Sequence, residues 1–405
     1  MKNKKVCVIG QGYIGLPTSA ILANSGYEVI GVDKKKEVVE SINNGKIHIV
    51  EPELDKLVLD VVEKKKLRAS EAVEKSDIYI ICVPTPFIES DSDIKHPNIE
   101  YVLSAAEEIS THIKNNDYVI IESTSPLGTT EKVHDLIRKR RPELEKIHFA
   151  YCPERVLPGN IIYEMVNNSR IIGGLSDEST KLISEFYRSF VKGEVVETSS
   201  QLSEMCKLTE NSFRDVNISF ANELSMICSS HNLDVWKLIS LANRHPRVNI
   251  LQPGPGVGGH CIAVDPWFIV SSNPENSKII KTAREINELK PHWVVRKIKE
   301  SLKSISSPKV LCLGLAFKPD IDDLRESPAL NIVKQLKQNN FNIACLEPNI
   351  VKHEQLQLVD MSCNLEDYDL VVILVKHKEF LTESFKQKLS KVNTLDFCGA
   401  LQDNL

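Results

Sequence analysis

The stretch Lys5-Val-Cys-Val-Ile-Gly-Gln-Gly-Tyr-Ile-Gly15, continued through Leu16 to Ser25 and then Tyr27-Glu-Val-Ile-Gly-Val-Asp33, decides the fold. An apolar strand runs into Gly10, Gly12 and Gly15 at G-x-G-x-x-G spacing, a helical stretch follows, and a second strand ends in an acid. That order is the β-α-β unit that holds a dinucleotide. Its turn glycines let a pyrophosphate sit against a helix N-terminus, where unpaired N–H groups and the helix dipole favour anions. The cradle comprises Gly10, Gly12, Tyr13, Ile14 and Gly15. Asp33 would accept hydrogen bonds from the adenosine ribose and repel a 2′-phosphate, which selects NAD over NADP. Lys34, Lys35 and Lys36 follow it and could neutralise a phosphate, or form a solvated loop.

The same pattern returns near the other end. Lys309-Val-Leu-Cys-Leu-Gly314 echoes Lys5 to Gly10, Phe341 to Glu347 echoes Tyr27 to Asp33, and Tyr368 to Val375 echoes Asp77 to Val83. Gly314 is followed by Leu-Ala-Phe-Lys-Pro, so the second unit should not bind a dinucleotide in the same way. Continuous apolar strands separated by helical stretches imply sheets covered on both faces. Between the units, Ser199 to Asn243 and Ser277 to Ser304 are long, largely proline-free and amphipathic, as a dimer-forming helical section would be. The expected architecture is α/β: two Rossmann-like, doubly wound parallel-sheet domains over residues 1–198 and 307–405, joined by a helical central section over 199–306.

Composition bounds the function. A formal charge of −5 over 405 residues, with mixed Lys/Glu surface, gives no basic stripe for nucleic acid. No apolar run approaches the length needed to span a membrane. Met1-Lys-Asn-Lys-Lys ahead of an apolar run superficially matches a signal peptide, but the run is short and breaks into glycines. The ten cysteines are scattered singly without C-x-x-C, which points to a reducing cytoplasm and to neither a disulfide framework nor a metal site.

One cysteine stands apart. Gly254-Pro-Gly-Val-Gly-Gly-His-Cys261-Ile-Ala-Val-Asp265 sets Cys261 in a glycine bed four residues before a carboxylate, the way a sulfur nucleophile is presented to a carbonyl. A small buried apolar cysteine is the competing reading. Lys207 and Asn211 stand four apart, so both project from one helical face, with Arg214 further along. Either that face is solvated, or an ammonium and a carboxamide converge on an oxygen that becomes anionic. Cys82-Val-Pro-Thr85-Pro, Ile120-Ile-Glu-Ser-Thr124-Ser-Pro and Tyr151-Cys-Pro-Glu154-Arg155-Val156-Leu157-Pro158-Gly159 follow strands, where α/β sheets bind ligands, although such residues are also ordinary turn chemistry.

Together and in order, these motifs resemble the UDP-glucose/GDP-mannose dehydrogenase family. The resemblance implies NAD-dependent oxidation of the C6 hydroxymethyl of a nucleotide sugar to a carboxylate, in two hydride transfers through a thiohemiacetal and a thioester on cysteine. It makes Cys261 the nucleophile and Lys207 and Asn211 the oxyanion donors, with Asp265, Thr124 and Glu154 holding or activating the hydrolytic water. It adds Thr85, Thr124 and Arg325 to the cofactor site. Phe317-Lys318-Pro319 to Arg325-Glu-Ser-Pro328 is similar to the family's C-terminal nucleotide motif, with Lys318 and Arg325 toward the phosphates and the cofactor side.

Val264 and Pro158 replace the lysine and the acid of the UDP-glucose branch. Together with Ile47-His-Ile-Val-Glu-Pro52 and His245-Pro-Arg-Val-Asn249, they look like the branch that oxidises UDP-N-acetylhexosamines, with UDP-N-acetyl-D-mannosamine the expected substrate. In that branch Arg155, Val156, Arg214, His245, Arg247 and Gly258 would line the sugar-nucleotide pocket, with His245-Pro-Arg247 reaching across a homodimer. UDP-N-acetylglucosamine and UDP-glucose are the alternative substrates. A single-step β-hydroxyacid dehydrogenase has no use for Cys261 or a second Rossmann-like unit, and a non-catalytic NAD-binding assembly protein leaves Lys207, Asn211, Cys261 and Asp265 unexplained.

Overall fold

The structure, a computed structural model, describes residues 4–88, 93–157, 159–259 and 261–402. Pro158 and His260, on which parts of the branch reading lean, lie outside the described residues. Packing groups the chain into two compact units, Met1–Thr209 with Trp267–Ser272, and Glu210–Pro266 with Asn273–Leu405.

The first unit carries strands β1 (Lys5–Ile9), β2 (Glu28–Val32), β3 (Leu67–Ser70), β4 (Ile78–Ile81), β5 (Tyr118–Ile121), β6 (His148–Tyr151), β7 (Arg170–Gly174) and β8 (Val195–Ser199) in the order β3-β2-β1-β4-β5-β6-β7-β8. Helices α1 (Gly15–Asn24), α2 (Lys36–Asn43), α3 (Leu54–Glu63), α4 (Glu100–Ser110), α5 (Thr129–Arg140), α6 (Ile161–Asn167) and α7 (Asp177–Tyr187) connect them. Side chains alternate across β1: Val6 and Val8 enter one buried cluster, Cys7 and Ile9 the other. Both faces are therefore dry, which is why the strands read as unbroken apolar runs. The sheet is not wholly parallel, because β7 pairs antiparallel to β6, with Ala150 opposite Gly174 and Tyr151 opposite Gly173. The chain leaves β6 at its carboxyl end and re-enters beyond that same end, so no crossover to the other edge is needed.

Helix α8 (Ser200–Ser230) is long enough that the division between the units falls within it. The second unit adds α9 (Val235–Ala242), the first residues of α10 (Asp265–Ser272), α11 (Lys278–Ser301) and a five-stranded, all-parallel sheet. Its strands are β9 (Lys309–Leu313), β10 (Asn342–Leu346), β11 (Leu358–Val359), β12 (Leu370–Ile373) and β13 (Thr394–Asp396), ordered β11-β10-β9-β12-β13 with α12 (Pro328–Gln338) and α13 (Glu383–Leu389). Alternation repeats in β9, where Val310 and Cys312 face one core and Leu311 and Leu313 the other. Ser327 caps α12 by accepting the Leu330 N–H at 3.2 Å, and Pro328 follows at its first position. Cys7, Cys152, Cys312 and Cys345 are buried as free thiols. No helix among the described residues is long and apolar enough to cross a membrane.

Candidate active site

At the carboxyl end of β1 the three loop glycines take different tasks. Gly10 has φ +90°, and a Cβ there would lie 2.6 Å from the Cys82 carbonyl oxygen; at Gly15 it would lie 1.7 Å from the Gly10 oxygen. A Cβ on Gly12 would meet nothing within 4 Å. The outer glycines thus fix the turn and the helix packing, while the middle one leaves the open side along which a pyrophosphate reaches the backbone. Asp33 accepts the Gln11 and Lys35 N–H groups, each at 3.0 Å, so its carboxylate is fixed beside the loop. These residues fit a dinucleotide.

Further along the same sheet, two strand-end loops are anchored from below. Thr85 donates its hydroxyl to the Thr124 carbonyl at 2.7 Å, tying the loops after β4 and β5 together. Buried Glu204 on α8 accepts the Gly128 N–H (2.7 Å), the Thr130 N–H (2.9 Å) and the Thr130 hydroxyl (2.7 Å), which satisfies the open end of α5. Glu51 does the same for the loop after β6, accepting the Gly159 and Ile161 N–H groups at 2.9 and 2.7 Å. One turn beyond Glu204, Lys207 donates its ammonium to the Glu154 carbonyl at 2.9 Å. The Glu154 carboxylate itself turns inward onto Arg170. Arg155 points back to Ser169, donating to its carbonyl at 2.5 Å.

Lys207 and Asn211 are 9% and 8% exposed, whereas Phe213 and Arg214 on the same helix are exposed, so the pair does not form a solvated face. Within the second unit, Asn211 donates its carboxamide N–H to Asp265 at 2.6 Å, joining two of the expected site residues. Asp265 opens α10, and its N–H and that of Val264 donate to the Cys261 carbonyl at 2.8 and 3.1 Å. Cys261 is exposed, in the turn four residues before the first residue of α10. The glycine bed serves packing against the C-terminal motif. A Cβ on Gly258 would lie 2.4 Å from the Glu326 oxygen, and one on Gly259 (φ +82°) would lie 2.7 Å from the Phe317 ring.

The cysteine loop is held by a buried polar network. Asn222 accepts the Gly254 N–H at 2.9 Å and donates to Asn287 at 2.8 Å. Asn287 donates to Asp215 at 2.8 Å; Arg284 pairs with Asp215 at 2.7 Å and reaches the Ile262 carbonyl at 3.5 Å. Lys318, Arg214, His245 and Arg247 are exposed, and Arg325 is exposed with its guanidinium on Asp323. Glu347, at the position matching Asp33, accepts the Leu315 and Ala316 N–H groups and meets His377 at 3.0 Å, so its carboxylate is already spent within the protein. Asp320, His377 and Glu379 lie close enough to share an ion, but Nδ1 of His377 already accepts the Asp320 N–H at 2.9 Å.

Three consecutive stretches match the UDP-glucose/GDP-mannose dehydrogenase family: its NAD binding domain over 4–191, its central domain over 201–289 and its UDP binding domain over 311–403. The chain belongs to this family. Among family members, it is 53% identical over 394 residues to a UDP-N-acetyl-D-mannosamine dehydrogenase of Campylobacter jejuni, covering 93% of this chain and 96% of the relative. It is 48% identical to an NDP-N-acetyl-D-galactosaminuronic acid dehydrogenase of Ralstonia nicotianae, covering 93% and 92%. A solved UDP-N-acetyl-mannosamine dehydrogenase from S. aureus superposes with a TM-score of 0.89 at 41% identity, covering 99% of this chain and 96% of that one.

Sequence reasoning passed over Glu122, Arg170, Glu204, Asp215 and Arg284, all buried charges with partners distant in sequence. A signal was present for two of them. Glu122 directly follows Ile120-Ile121, and Arg170 opens Ile171-Ile172-Gly173, each a lone charge in an apolar strand context.

Proposed function

We propose that this family member is a UDP-N-acetyl-D-mannosamine 6-dehydrogenase, which oxidises the C6 hydroxymethyl to a carboxylate and reduces two NAD per sugar. The carrying observation is the Cys261 turn ahead of α10 with Asn211 fixed on Asp265; the 53% identity to the Campylobacter jejuni enzyme supports the substrate. Bound NAD supplies the hydride acceptor for both oxidations. The Cys261 thiolate adds to the C6 aldehyde to give a thiohemiacetal, which loses hydride to become a thioester. Water then cleaves the carbon–sulfur bond, releasing the carboxylate and the thiolate. The Lys207 ammonium and the Asn211 carboxamide stabilise the oxyanions, and Asp265 with Thr124 holds the hydrolytic water. Asp33 with Gly10, Gly12 and Gly15 binds the cofactor. Arg155, Val156, Arg214, His245, Arg247, Gly258 and Lys318 serve the nucleotide sugar.

We further propose a homodimer in the cytoplasm. Phe213, Phe220 and Ile227 recur every seven residues along α8 and are 67%, 49% and 50% exposed, an apolar stripe that a second copy would cover. Ten cysteines scattered singly along the chain suit a reducing compartment.

A site built to hydrogen-bond an acetamide rejects analogues that lack it. Measuring kcat/KM for UDP-N-acetylmannosamine, UDP-N-acetylglucosamine and UDP-glucose should rank them in that order. UDP-glucose in first place overturns the substrate and leaves the family intact.

A further inference from the structure

The loop that receives Lys207 is held by a charge that takes no direct part in the oxidations or the hydrolysis. Both carboxylate oxygens of Glu154 are committed to the interior. Oε1 accepts the Arg155 N–H at 2.7 Å, and Oε2 forms an ion pair with the Arg170 guanidinium, the two side chains being 5% and 4% exposed. Arg170 opens β7, where its N–H donates to the Glu194 carbonyl at 2.7 Å; its Nη2 donates to the Met165 carbonyl at 3.3 Å. Its guanidinium lies 5.9 Å from the Tyr187 ring. The Tyr187 hydroxyl donates to Glu122 at 2.6 Å, and the other Glu122 oxygen accepts the Thr18 hydroxyl of α1 at 3.1 Å and the Cys82 thiol at 3.4 Å. One buried chain of contacts thus runs from the dinucleotide-binding helix to the carbonyl that orients Lys207.

A fully buried ion pair is a poor device for stability, since apolar residues of similar volume often serve as well or better, but removing one member strands a charge and is costly. Turning the Glu154 carboxylate out toward solvent would strand the Arg170 guanidinium, so the pair holds the Glu154 backbone in place. We propose that Arg170 is a positioning residue: by clamping the Glu154 carboxylate it fixes the Glu154 carbonyl that aims the Lys207 ammonium. This rests on Lys207 acting as an oxyanion donor.

The test is a cycle of four enzymes: wild type, Arg170→Lys, Lys207→Ala and the double variant, each with kcat and the NAD dissociation constant measured. Lysine keeps the charge but loses the two-pronged geometry. Arg170→Lys is expected to lower kcat about tenfold with NAD affinity unchanged, through misplacement of a catalytic group. In the Lys207→Ala background the same change should cost less than about twofold, because residues that act as a unit are not additive. Equal losses in both backgrounds, or wild-type kcat in Arg170→Lys, overturn the positioning role alone. Wild-type kcat in Lys207→Ala overturns the oxyanion reading and the proposal with it. If Arg170→Lys does not fold, the paired Arg170→Met/Glu154→Leu variant replaces it in the cycle with the same expected non-additivity.

Discussion

Replacing Asp215 with alanine should destabilise the unit that carries Cys261 more than any other single truncation of a site-supporting residue. Asp215 is fully buried and accepts from Arg284 at 2.7 Å and from Asn287 at 2.8 Å, while Arg284 is 2% exposed. Truncation leaves the guanidinium without its buried partner; its remaining carboxylate neighbour, Glu288 at 3.5 Å, is partly exposed and screened by water. Breaking one side of such a pair costs about 3–5 kcal/mol, and Glu288 places the loss toward the lower end. For a unit of about 190 residues, that is a Tm fall of roughly 6–12 °C. The assay is thermal unfolding of wild type, Asp215→Ala and the paired Asp215→Leu/Arg284→Met variant. The pair should recover most of the loss, because no buried charge is stranded. A fall of less than about 2 °C in the single variant, or a double variant no better than the single, would refute the reasoning.

Cys261→Ser should abolish carboxylate formation while leaving NAD binding intact, since a serine hydroxyl is a poorer nucleophile and no thioester forms; product analysis beside cofactor titration checks it. Asp33→Ala should weaken NAD binding with little effect on kcat at saturating cofactor, which steady-state kinetics separates. Burial would raise the Glu347 carboxyl, but hydrogen bonds from His377 and from the Leu315 and Asn349 N–H groups outweigh it and bring it down to about 2, against 4.5 when unperturbed. Its ionised form therefore contributes stability above pH 4.5 that is lost as pH falls toward 2, on the order of 3 kcal/mol. The Tm difference between wild type and Glu347→Gln, measured across that window, should shrink as pH falls; a constant difference would show that the pairing carries none of it.

Much of this was legible because it is local or periodic. Gly10 and Gly15 report backbone demands that no other residue meets, and the apolar runs at Lys5–Ile9 and Lys309–Leu313 report sheets covered on both faces. Lys207 and Asn211 could be placed on one face because helical geometry fixes the relation of residues four apart. The reversal of β7 was not legible, since an apolar strand reads alike in either direction. Nor were the pairings Glu204 with Thr130, Glu51 with Ile161, or Arg284 with Asp215, which join residues distant in sequence and have no period. The glycine bed was half legible: it was read as presenting Cys261, but the groups that crowd Gly258 and Gly259 are Glu326 and Phe317 of the same chain.

On the proposed mechanism, one cysteine carries the sugar through two oxidations without releasing the aldehyde. Limiting UDP-N-acetylmannosamine, excess NAD and an aldehyde trap, followed by NADH absorbance to the endpoint, test it most directly. Two NADH per sugar with no trapped aldehyde is the predicted result; one NADH per sugar with the aldehyde captured would contradict it.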